Sequence, residues 1–246
     1  MTLAQRARVT ALVLLLAGSA ACSTDGTARP ENDTAANADI DTMTDWFPAA
    51  SEYEAGTLFR SVDRSEFAAV LDEVPIVTPP ECGDLVRTNS AALAEFIRAA
   101  PKVTAQFART SDSHMGASIF VADQELDLDG DRTFVERCPK TDISKSGDDT
   151  GTQSIDVSDL PRELRERYGV TDTLFTKNAY TNTKDGDTAS STVFTSTVVV
   201  RGYTVYLNVE YATGVSVDGD FTPLRDADKD EVIALTKSMV DKISPK

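Results

Sequence analysis

The segment from Thr171 to Ala212 constrains the fold more than any other part of the chain. STVFTSTVVV and YTVYLNVEYA flank Arg201-Gly202, and both runs alternate with a period of two. A two-residue turn there pairs Val200 with Tyr203, Val198 with Val205 and Phe194 with Val209, all on one sheet face. Thr204, Tyr206, Asn208 and Glu210 then fall on the other face. A slip of one residue would turn the whole apolar set outward, so pattern and turn specify one register. TDTLFTKNAYTN precedes this hairpin, joined through TKDGDTAS, whose Asp185-Gly186 is a hairpin turn signal. Three antiparallel strands are therefore expected in sequence order.

Amphipathic helices are expected around this meander. Asp228 to Ile243 carries Val232, Leu235, Met239 and Ile243 on one stripe, with Asp228 and Glu231 in a capping pattern. Such a helix, following a meander, is expected to lie across the sheet. Asp63 to Val74 has Phe67, Val70, Leu71 and Val74 at helical spacing, starts on Asp63 and Glu66, and stops at Pro75. Pro79-Pro80 opens a further helical region that Pro101 ends; Ser90 is a candidate cap for a separate helix from Ala91 to Ala100. VTAQFART and GASIFVADQEL read as a hairpin around SDSH. The segment between Cys138 and Gly151 reads as a polar loop, Gln153 to Val157 as a short strand, and Pro161 to Tyr168 as a short helix capped by Ser158 or Asp159 and stopped by Gly169. The fold class is α+β, an antiparallel meander packed by N-terminal helices and a C-terminal amphipathic helix.

The first 22 residues, MTLAQRARVTALVLLLAGSAAC, bear on where the chain works. Arg6 and Arg8 precede an apolar run from Val9 to Ala17, and Gly18 to Ala21 are small, the order of a secretory leader. The run is short of the roughly 20 residues a spanning helix needs. Small residues ending at a cysteine resemble the lipobox of bacterial lipoproteins, in which the cysteine left by cleavage carries the lipid; here that is Cys22. The position three before it, usually Leu in that motif, is Ser19, and an ordinary signal peptide cut before Cys22 is the alternative. The expected divisions are a lipoprotein signal over 1–21, a disordered tether over 22–45 that is poor in large apolar residues, and one domain over 46–246 beginning at Trp46. The expected location is the extracytoplasmic face of a cell membrane, reached through lipid.

Loss of Arg6 and Arg8 takes the net charge from −16 to −18. A surface this acidic excludes nucleic acid and basic docking on anionic lipid. With Cys22 acylated, Cys82 and Cys138 remain as an even pair in an oxidising compartment, and a disulfide between them is the default. Two buried free thiols are the other reading.

Chemistry is sparsely signalled. ELDLDGDRTFVE, read as a calcium loop, offers Glu125, Asp127, Asp129 and Glu136 as ligands with Gly130 at the turn. Calcium is the one cofactor for which the sequence offers a loop, although the eighth position is Arg132 where an apolar residue belongs. Asp226, Asp228 and Asp230 read as helix N-terminal acids. His114, the only histidine, lies in a turn; a Ser-His-Asp or Cys-His site would have to use it, and a histidine-rich metal site is excluded. No phosphate loop, dinucleotide turn or nucleophile elbow is present, and the chain reads as non-enzymatic.

The leader and tether, a helix with PPEC at 79–82, a later cysteine, VVVRGYTVYLNVEY at 198–211 and a final amphipathic helix together resemble actinobacterial envelope lipoproteins. They are similar to the extracellular sensor-domain type found outside mycobacterial receptor serine/threonine kinases. That resemblance covers roughly Leu58 to Ile243. It implies a helix-backed antiparallel sheet, a disulfide and a cleft for a small-molecule, lipid or protein ligand. Domains of that type often carry two disulfides, and one pair is available here. The expected function is a membrane-anchored, non-catalytic ligand-binding or sensing lipoprotein. The alternatives are a lipid or glycolipid carrier, which needs a large apolar cavity, and a secreted hydrolase, which needs a convergent acid pair.

Overall fold

In the computed structural model of the chain, residues 38–71, 75–144, 150–184, 186–217 and 219–244 are described. The leader, Cys22 and the tether as far as residue 37 lie outside them, as do Val74 and Asp185.

Ten antiparallel strands form one sheet. They are β1 (Leu58–Val62), β2 (Ile76–Thr78), β3 (Val103–Arg109), β4 (Met115–Ala122), β5 (Lys140–Ser144), β6 (Thr150–Val157), β7 (Val170–Lys184), β8 (Asp187–Val200), β9 (Tyr203–Val217) and β10 (Asp220–Pro223). Their order is β1-β3-β4-β9-β8-β7-β6-β5-β2, with β10 on the free flank of β9. Val200 faces Tyr203, Val198 faces Val205 and Phe194 faces Val209, the register that the alternation predicts. The helices are α1 (Ile40–Asp45), α2 (Arg64–Leu71), α3 (Pro80–Ala99), α4 (Asp129–Arg137), α5 (Arg162–Arg165) and α6 (Lys229–Ile243).

Both sheet faces are covered near the centre. On one face, α6 lays Val232, Leu235, Met239 and Ile243 on Val198, Val205, Leu207 and Val209, all at most 2% exposed. Each such side chain contributes about 1.5–3 kcal/mol through burial. Asp228 caps α6 by accepting from the N–H groups of Asp230 (2.9 Å) and Glu231 (3.1 Å). The Glu231 carboxylate does not close the capping box; it accepts the Tyr211 hydroxyl at 2.8 Å and so fastens the helix to the sheet.

The opposite face carries α2, α3 and α4. Phe67, Phe96, Ile97, Phe120 and Ala122 form its core over the β3–β4 side. Asp63 caps α2 through the Ser65 N–H (2.8 Å), while Glu66 pairs with Arg60 (2.7 Å) rather than returning to the cap. The Cys82–Cys138 disulfide ties the first turn of α3 to the residue after α4, and both sulfurs are buried against Val77 and Phe134.

Four expectations are corrected. Ser90 does not divide α3, which runs unbroken for 20 residues because apolar side chains continue through both halves, Leu85 and Val86 and then Leu93, Phe96 and Ile97. The segment after Cys138 is not simply loop, since Lys140–Ser144 pairs with both β6 and β2. The short helix near Pro161 is one turn, Arg162–Arg165, without a side-chain cap from Ser158 or Asp159. Finally, the folded part begins before Trp46. Met43 of α1 is fully buried, and the Ala38 N–H donates to the Tyr203 hydroxyl at 3.2 Å. Ala38 to Asp45 therefore belongs to the core and not to a tether. Trp46 packs edge-on against Tyr203, with ring centroids 5.0 Å apart.

Candidate functional site: a polar band under the α3–α4 layer

Strand alternation places Tyr206, Asn208 and Glu210 of β9 on the face beneath α3 and α4. On the β3–β4 side this face is aromatic and aliphatic. From β9 outward it becomes polar. Asn208 lies opposite Thr195, Tyr180 opposite Ser191 and Gln153, and Gln153 opposite Thr141, so hydrophilic side chains run across five strands.

Hydrogen bonds join these groups into two clusters. Gln153 donates from Nε2 to the Tyr180 hydroxyl at 3.0 Å and to Asn178 Oδ1 at 3.3 Å, and its Oε1 accepts the Thr141 hydroxyl at 3.4 Å. Asn208 donates to Thr195 Oγ1 at 3.0 Å, and the Tyr206 hydroxyl bonds to the side chains of both. Tyr206 stacks on Phe120 with centroids 4.8 Å apart, marking where the apolar core meets the band. A polar group moved from water without a partner costs several kcal/mol, which is why these residues are linked.

Two carboxylates flank the band, and burial pushes both upward from the ordinary range. Glu210 is opposed in this by a Ser191 hydrogen bond and the charge of Arg109. Asp131 is opposed by Asn89, 3.2 Å away, and by Arg132. Burial also raises the tyrosine hydroxyls, Tyr206 to about 12 with a contribution from Asp131, and Tyr180 with one from Glu210. At neutral pH the band thus offers amides, protonated hydroxyls and desolvated carboxylate. It is suited to hydrogen bonding and carries no evident nucleophile.

The structure dissolves the calcium loop. Asp129 to Arg137 is helix α4, with Arg132 N–H bonded to Leu128 O at 3.0 Å, so the last eight loop positions are wound into a helical approach and helix. Asp127 accepts the Asp129 N–H at 3.0 Å, and Asp129 pairs with Arg132 at 3.3 Å. Glu125, Asp127, Asp129 and Glu136 do not converge; no group of three or more Asp, Glu, His or Cys that would hold a metal occurs among the described residues. Gly130 has a packing reason instead, because a Cβ there would stand 2.9 Å from Asn89 Oδ1 of α3. His114 sits in the β3–β4 turn with Nδ1 3.4 Å from Asp112.

Asp131, Gln153, Asn178 and Tyr180 were not singled out by sequence reasoning. The signal for the β9 members was their period-two spacing, whose meaning depends on which helices cover that face.

Among the described residues, two surface concavities have volumes of about 550 Å³ and 240 Å³. The larger is lined mainly by short polar side chains of β5, β6 and β7. Neither is the deep apolar cavity that the carrier reading requires. Asp131 lies by Tyr206 and Glu210 by Tyr180, from α4 and β9, so these two buried carboxylates serve different hydroxyls.

No family model and no curated protein matches the chain. Several solved chains are similar, among them the following two. One is a putative uncharacterized protein, the Rv0999 ortholog from Mycobacterium smegmatis, at 14% identity over 84% of this chain and 97% of that one, with a TM-score of 0.45. The other is the extracellular domain of PknH from Mycobacterium tuberculosis, at 13% identity over 84% and 96%, with a TM-score of 0.47. Both are mycobacterial, and likeness at this level carries no argument about this chain.

Proposed function

We propose that this chain is an extracytoplasmic, non-catalytic ligand-binding domain of the sensing kind, held at a membrane by a lipid on Cys22. The observation that carries the binding reading is the band itself. Hydrophilic side chains on five strands, with the Glu210 and Asp131 carboxylates half desolvated at its margins, occupy a sheet face that a purely structural layer would fill with apolar residues. A ligand that hydrogen-bonds along the band would complete the coordination of these groups.

The binding test is native mass spectrometry of protein recovered from its own envelope, comparing wild type with Asn178→Leu. A bound non-protein mass on wild type that the variant lacks supports the reading. Anchoring is tested separately by fatty-acid labelling of wild type and Cys22→Ala; label on both would remove the lipid from the proposal. Among the described residues no helix is long and apolar enough to cross a membrane.

A further inference from the structure

The outer part of the sheet has a second unusual surface, on the face opposite the polar band. Beyond the reach of α6 the strands β5 to β7 form the open concavity of about 550 Å³, within the range of small-molecule sites. Thr152, Ser154 and Thr181 line its floor, and Thr78, Lys140 and Asp142 line its edge-strand side.

The register carries this surface further. Thr152 pairs with Thr181 and Thr181 with Ser190, one row across β6, β7 and β8. The next row pairs Thr150 with Thr183, Thr183 with Thr188, and Thr188 with Ser216 of β9. Paired positions share a face, so these seven outward side chains, from four neighbouring strands, are all hydroxyls. In a chain with 40 acidic and 24 basic residues, uncovered strand positions would ordinarily carry charge. The second row is bounded at its far end by Phe221, which pairs with Ser216 and is 64% exposed. Its ring lies over Gly214, where a Cβ would stand 2.4 Å from it, so the backbone there makes room for an aromatic ledge at the margin of the hydroxyl surface.

We propose that this concavity and its adjoining hydroxyl rows bind a neutral glycan chain lying across the strands. Hydroxyl side chains both donate and accept, matching a ligand whose own groups do the same. The rows carry no charge, and the two charged residues lining the concavity, Lys140 and Asp142, are of opposite sign, so the surface presents a charged polymer no net counter-charge. The exposed ring of Phe221 provides an apolar surface for the C–H face of a sugar. The concavity adjoins the outer end of the band, whose Thr141 and Gln153 also line it, while the hydroxyl rows lie on the opposite face and the proposal does not depend on a ligand in the band.

The test is titration of the isotopically labelled protein with maltohexaose, cellohexaose or mannohexaose at up to about 10 mM, well above a millimolar dissociation constant. An oligogalacturonate of equal length is the charged control. At least one neutral hexaose is expected to shift the amide signals of Thr152, Thr181 and Ser190. The double variant Thr152→Val, Thr181→Val keeps the β-branched shape and should bind about tenfold more weakly, the worth of two modest hydrogen bonds. Its unchanged melting temperature would show that the fold is intact. Glu210→Gln, on the other face, should bind the hexaose as wild type does, which separates this site from the band. The proposal is overturned if none of the three neutral hexaoses shifts these signals, if the double valine variant binds equally well, or if the oligogalacturonate binds as tightly.

Discussion

Gln153 of β6 donates to the Tyr180 hydroxyl of β7 at 3.0 Å, and the same amide nitrogen reaches Asn178 Oδ1 at 3.3 Å. One side chain thereby serves two acceptors on the neighbouring strand, in a region where each would otherwise be poorly solvated. Gln153→Leu removes the donor and leaves both acceptors behind. Equilibrium unfolding in urea should show a loss of about 1–3 kcal/mol, with a smaller loss for Tyr180→Phe, which takes the acceptor from one Gln153 N–H while the amide still reaches Asn178.

The N-terminal segment makes a second case. Met43 has no solvent exposure and Ala38 is held by both the Tyr203 hydroxyl and the Lys102 ammonium, at 3.2 Å and 2.8 Å. A protein shortened to begin at Trp46 should unfold at lower denaturant than one that begins at Cys22. Met43→Ala alone should cost about 2–5 kcal/mol. Equal midpoints would mean that α1 contributes nothing to the core.

Reduction of the Cys82–Cys138 bond releases a loop spanning 56 residues. The chain-entropy model assigns such a crosslink about 4 kcal/mol. Because the bond joins the start of α3 to the end of α4, amide exchange should rise first in those two helices when Cys82 and Cys138 are both replaced by Ser, with the β8–β9 hairpin keeping its protection.

The pH dependence has opposing parts. Burial raises the Glu210 and Asp131 carboxyls in the folded state, so that state holds protons more tightly than the unfolded chain, and stability falls as pH rises from the ordinary carboxylate range through their raised values. Asp63 and Asp112 behave oppositely. Hydrogen bonds from Ser65 and from Thr110 hold them below that range, so their contribution is present above the ordinary range and lost on acidification. Glu210→Gln should therefore gain on wild type as pH rises from 4 to 7, measured as the difference in urea midpoint. A constant difference would contradict the desolvation of Glu210.

Much of the fold was legible from sequence because its strongest elements are locally self-consistent. Val198, Val200, Tyr203 and Val205 specify both a strand period and a register, and α6 shows its stripe and its Asp228 cap in sixteen residues. Helix α4 was hidden for a physical reason. Val135 is its one buried side chain, and Asp129, Asp131 and Glu136 give it the look of a cation loop, while its anchor, the fully buried Leu128, lies just outside it. Strand β5, KTDIS, shows no apolar alternation because its buried position, Thr141, is polar and belongs to the band. The band was half legible: Tyr206, Asn208 and Glu210 announce a polar face, but only the crossing of α3 over that face, fixed by long-range packing, makes it half-buried.

The central claim is that the polar band under α3 and α4 holds a ligand. The most direct measurement is native mass spectrometry of wild type and Asn178→Leu, each purified from its own envelope under identical mild conditions, with circular dichroism to confirm that both are folded. The account predicts a bound non-protein mass on wild type and its loss from the folded variant. Wild type carrying no such mass, or both proteins carrying the same one, would contradict it.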